Sequence, residues 1–67
     1  MPTFKDKAKF PGVTSLRATA SALLCRIDGK DHWIPQSQID DDSELWEAEQ
    51  EGELIVSQWF AEQKGLV

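Results

Sequence analysis

Apolar residues along the chain come in short runs cut by breakers, and the longest apolar-rich stretch lies between Val13 and Ile27. Val13, Thr14, Thr19 and Ile27 are β-branched, a preference for strand. The pattern predicts one strand near residues 13–20 and a second near 21–27. A continuous helix over 15–27 is the competing reading. It is rejected because Ile27-Asp28-Gly29-Lys30 follows, and Asp-Gly between two apolar-rich runs is a strong hairpin signal. With Asp28 and Gly29 as the central pair of a type I′ turn, Ile27 opposes Lys30, Cys25 opposes His32, Leu24 opposes Trp33 and Leu23 opposes Ile34. One face then carries Leu23, Cys25, Ile27 and Ile34, and the other Ala22, Leu24, Trp33 and Pro35.

Pro35 cannot donate to a ladder, so the strand ends there or lies at an edge. Residues 36–39 predict a tight turn that returns Ile39 to the core, and Asp40-Asp41-Asp42 a solvated loop. Residues 43–48 are ambiguous between a helix capped by Ser43 and a short strand, with strand preferred. After Gly52, residues 53–56 read as a strand, with Leu54 and Val56 on one side and Ile55 on the other. Ser57 is a good N-cap for a helix over 58–64, anchored by Trp59, Phe60 and Leu66, with Lys64 in the last turn and Gly65 at C′. Residues 1–12 end in a Pro-Gly breaker and read as a mobile tail. The predicted fold is mainly β: a single domain over 13–67 forming a small SH3-like, partly open barrel of four or five short strands with one short C-terminal helix.

Size narrows the possibilities. A domain of 67 residues buries only ~60% of the surface its unfolded chain exposes. Cys25 is the single cysteine, so no disulfide assists, and a lone thiol suits a reducing cytoplasm. The longest apolar run, Ala22–Cys25, is too short to span a membrane, and Met1–Lys5 lack a signal-peptide core. A cytoplasmic, membrane-free protein is expected. Charge is unevenly placed: the net value is −5, residues 40–53 hold eight acids and no base, and Lys5, Lys7, Lys9, Arg17, Arg26 and Lys30 all precede residue 31. Folding could still bring the two halves together and cancel this split.

Catalytic chemistry finds little support. Cys25 facing His32 suggests a thiol–imidazole pair, but no third orienting group or oxyanion site is signalled, and a strand cysteine is usually a small buried hydrophobe. Asp40, Asp42 and Glu44 alternate as oxygen ligands could, without the glycine and terminal glutamate of a calcium-binding loop. One His and one Cys make no recognisable zinc site, and the four isolated glycines make no phosphate loop. No catalytic residue, metal or cofactor is expected.

Three tryptophans, Trp33, Trp46 and Trp59, matter more. In a domain short of apolar area most of them belong in the core. Trp33 is the exception: with Leu24 and Ile55 it falls on the second sheet face, which a seven-residue helix does not readily cover. Leu24, Trp33 and Ile55 are therefore the candidate partner-binding residues, for a protein partner or a homodimer. The alternative is a small barrel binding single-stranded nucleic acid, with Trp33 stacking and Arg17, Arg26 and Lys30 contacting phosphates. Net acidity disfavours it.

Ala22-Leu-Leu-Cys-Arg-Ile-Asp-Gly-Lys-Asp-His-Trp-Ile-Pro-Gln-Ser-Gln-Ile39 and Gly52-Glu-Leu-Ile-Val-Ser-Gln-Trp-Phe-Ala-Glu-Gln-Lys-Gly-Leu66 together resemble small, uncharacterised phage- and prophage-encoded proteins. The resemblance covers about residues 13–66 and is densest at Trp33-Ile-Pro-Gln-Ser37. It implies a phage accessory role in replication, recombination or host interference, and it assigns no site residues. The function expected is a non-enzymatic protein-interaction module acting on a phage or host protein.

Overall fold

The computed structural model describes residues 4–67. Four antiparallel strands, β1 (Lys7–Ala18), β2 (Ala22–Ile27), β3 (Lys30–Pro35) and β4 (Glu51–Ser57), form one sheet in the order β3-β2-β1-β4. A 3₁₀ turn (Gln36–Gln38) follows β3, and one helix, α1 (Gln58–Gln63), follows β4. This is the expected mainly-β fold, and its topology is consistent with a small, partly open barrel.

The hairpin forms as its sequence predicts. Asp28 and Gly29 have φ of 52° and 78°, the left-handed pair that a type I′ turn requires. Ile27 pairs with Lys30, Cys25 with His32, Leu24 with Trp33 and Leu23 with Ile34. Leu23, Cys25, Ile27 and Ile34 are buried together with Val13, Ile39, Leu45, Leu54, Val56, Phe60 and Ala61. That face is the inner one.

β1 corrects the expected domain boundary at residue 12. The strand begins at Lys7 and pairs with β4 along its first half and β2 along its second, Thr14 touching both. The register breaks twice, between Phe10 and Val13 and between Ser15 and Arg17. Pro11 and Gly12 lie in the first break, and Gly12 has φ 66°. A bulge tolerates a proline without a donor and a glycine in the left-handed region, and it bends the strand. Pro-Gly was therefore a bend inside a strand, not the end of a tail. Ala8 is buried and Phe10 packs on the core. Residues 1–3 of the expected tail lie outside the described residues.

Two expectations fail between β3 and β4. Residues 43–48 form no strand. In place of a ladder, Gln50 Oε1 accepts from the N–H groups of Trp46 and Glu47 at 2.8 and 2.9 Å, and Trp46 Nε1 donates to the Ser43 carbonyl at 2.7 Å. Leu45, fully buried, plugs the core from this segment. Asp40 is not part of a solvated loop but fully buried. Its carboxylate accepts from the N–H groups of Phe4 and Asp42 at 2.8 and 2.9 Å, and Lys7 Nζ stands 3.3 Å away.

α1 starts at Ser57, whose Oγ accepts from the Phe60 N–H at 3.2 Å and donates to Gln38 Oε1 at 2.6 Å. The helix ends at Gln63, one residue short of the expected end. Leu66 N–H then donates to Ala61 O and Gly65 N–H to Glu62 O, a Schellman closure. Phe60 and Ala61 enter the core, but Trp59 is 62% exposed. So short a helix turns only a narrow arc inward, and the consecutive pair Phe60-Ala61 occupies it. Trp59 is thus not the anchor that its hydrophobicity suggested.

Candidate interaction surface

The outer face of the hairpin is built by alternation. With Leu23, Cys25 and Ile34 turned inward, Leu24 and Trp33 must turn outward. Trp33 is 48% exposed and Leu24 half-buried. The bulge after Ser15 sets Arg17 opposite Leu24, so Arg17, Leu24 and Trp33 form one row across β1, β2 and β3. The next row is Thr14, Arg26 and Asp31, in which Arg26 Nε donates to Asp31 Oδ1 at 2.9 Å.

Of the residues singled out from sequence, the fold brings Leu24, Trp33, Arg17 and Arg26 onto one face. Two do not join them. Ile55 is buried, only 4% exposed, even though β4 is an edge strand of the sheet. Its carbonyl accepts from the Asp40 N–H at 2.8 Å and its N–H donates to Ser43 Oγ at 3.3 Å. A segment that the sequence placed in solvent lies along β4 and encloses it. Lys30 pairs with Ile27 at the hairpin tip, on the inner side of the sheet. Trp59 is the exposed aromatic that sequence reasoning missed. It projects from a helix packed on the inner face, so it and Trp33 lie on opposite sides of the sheet and form no common patch.

The possible chemistry is constrained by burial. Cys25 opposes His32, but desolvation pushes the thiol up to about 11. It is therefore protonated at neutral pH, the wrong direction for a nucleophile. Asp40 titrates below the ordinary carboxylate range. The Asp42 N–H is the main cause; burial opposes it, and the Phe4 N–H and the Lys7 ammonium add to it. Those partners make Asp40 a structural anchor, and among the described residues no group of three His, Cys, Asp or Glu is placed to hold a metal ion.

Charge remains divided after folding. Lys7 pairs with Asp40 and Asp42, and Arg26 with Asp31. Asp41, Glu44, Glu47, Glu49 and Glu51 stay exposed around β4 and the segment before it. Near the hairpin tip, a cavity of about 220 Å³ is lined by Ile27, Asp28, Lys30, His32, Lys64 and Leu66, two lysines to one acid. Among the described residues no helix is long and apolar enough to cross a membrane. Compared with known proteins, the chain matches no family model, no curated protein and no solved structure.

Proposed function

We propose that the protein is a non-enzymatic interaction module of the small SH3-like barrel kind, binding a protein partner through the outer face of its β2–β3 hairpin. The observation that carries this reading is Trp33, 48% exposed beside half-buried Leu24 on a strand at the sheet's edge. A domain with so little apolar area leaves a large aromatic in water only at a cost, and a partner that covers it recovers that burial. The resemblance of the hairpin to small phage and prophage proteins supports a phage or bacterial host protein as the partner, and a cytoplasmic site of action. Single-stranded nucleic acid is the second reading. Arg17 and Arg26 flank Leu24 and Trp33 on that face, as a stacking platform would need. Arg26 is already paired with Asp31, and net acidity opposes phosphate, so the protein partner is preferred.

The test is capture from bacterial lysate by the parent and by Trp33→Ala, Trp59→Ala and Arg17→Ala variants matched in melting temperature. A protein retained by the parent and by Trp59→Ala, but lost with Trp33→Ala, supports the reading. Salt-sensitive retention of single-stranded oligonucleotides that Arg17→Ala abolishes would replace it with the nucleic-acid reading.

A further inference from the structure

We propose that β3 receives an extended segment of the partner protein as a fifth strand, and that a carboxylate side chain of this segment enters the cavity beside Lys30, His32 and Lys64. This rests on the interaction reading above and specifies how the partner is held.

The two edges of the sheet differ. β4 is closed by backbone bonds from Asp40 N–H to Ile55 O and from Glu44 N–H to Glu53 O, and by the bridge of Ile39 with Val56. β3 pairs only with β2 among the described residues. Its register shows which groups are free. The two-residue turn makes Ile27 and Lys30 a hydrogen-bonded pair, so the bonded pairs continue at His32 and Ile34. The bond from Gln36 N–H to Ser21 O, at 2.8 Å, keeps the same alternation. Asp31, Trp33 and Pro35 therefore turn their backbone groups away from β2. Pro35 falls where its missing N–H removes no ladder bond, and Asp31, Trp33 and Pro35 are all exposed. At Asp31 and Trp33 an incoming strand meets two donors and two acceptors in extended order.

Side chains of such a strand alternate between the two faces. On the outer face they lie against Trp33. On the inner face they stand beside Lys30 and His32, next to the cavity of about 220 Å³ that Lys64 also lines. Lys30 and Lys64 against the single acid Asp28 favour a carboxylate there. The chain's own acidic segment lies at the other edge of the sheet, and β3 has no acid on its inner side, which carries Lys30, His32 and Ile34. A second copy pairing through β3 cannot supply the carboxylate, so the occupant is a different protein, with an extended acidic-apolar segment.

Three synthetic peptides test this on the isotope-labelled full chain: one alternating Val and Glu, one alternating Val and Lys, and a Val-Glu peptide N-methylated throughout. The Val-Glu peptide is expected to slow amide exchange at Asp31 and Trp33. Lys30→Glu with Lys64→Glu, checked for unchanged melting, should weaken it about tenfold. Equal or tighter binding of the Val-Lys peptide overturns the acidic specificity. Binding that methylation leaves intact, or that shifts Trp33 without protecting these amides, overturns strand addition while leaving the outer-face reading standing. Protection of the same amides on self-association without peptide makes a second copy the occupant and overturns the proposal. So does the absence of binding by any peptide at millimolar concentration.

Discussion

The edge at β4 and the edge at β3 are built in opposite ways. β4 is flanked by an irregular segment whose polar groups are spent on the fold: Ser43 Oγ meets Ile55 N–H, Glu44 Oε1 accepts from Glu53 N–H at 2.6 Å, and Asp40 gathers Phe4, Lys7 and Asp42. β3 is a regular strand with a clean register and, among the described residues, no neighbour beyond it. An unpaired edge invites association, and short length, charge and proline are common guards against it. β3 has six residues, with Lys30 and Pro35 at its ends. Such an edge can stay open without indiscriminate pairing, whereas β4, rich in Leu54, Ile55 and Val56, would be hazardous if bare.

Substitutions can break this contrast. The largest effect is expected on the sealed side: Leu45→Ala removes a fully buried side chain and should cost about 2–5 kcal/mol, read by chemical denaturation. Loss of less than about 1 kcal/mol would mean that the 43–48 segment does not plug the core. At the hairpin, Gly29→Val places a β-branched residue at φ 78° and should cost about 1–2 kcal/mol. A melting temperature like the parent's would contradict the turn.

Acid should act through the sealed edge as well. The folded pKa of Asp40 is depressed, so its contribution is present above the unfolded carboxylate pKa and disappears as pH falls through the folded value. The window therefore lies below about pH 4. Asp40→Asn should be less stable at neutral pH and flatter in its acid limb. An unchanged acid limb would show that Asp40 is not the group responsible. The smallest effects are expected for Trp33→Ala and Trp59→Ala, each within roughly 1 kcal/mol of the parent, because about half of Trp33 and more of Trp59 is in water. A Trp33→Ala variant that unfolds would make Trp33 a core residue and remove the open face.

The hairpin was legible because its information is local. Asp28-Gly29 specifies the turn, the turn specifies the register, and alternation specifies that Leu24 and Trp33 face away from Leu23 and Ile34. The Ser57 cap and the Gly65 closure were legible for the same reason. Ile55, Asp40 and Trp59 were not. Alternation puts Ile55 on the outer face correctly, but only the return of residues 39–44 along β4 decides that it is covered. Three consecutive aspartates read as solvent-seeking until Phe4 and Lys7, distant in sequence, converge on one of them. Trp59 looked like an anchor because hydrophobicity does not say which arc of a six-residue helix meets the core. Turns, caps and side-chain alternation follow from the chain itself, since each depends on neighbouring residues. Which edge is sealed depends on contacts between residues 39–44 and β4, which acid is buried depends on contacts across more than thirty residues of chain, and which tryptophan stays in water depends on how the elements dock; only packing decides those.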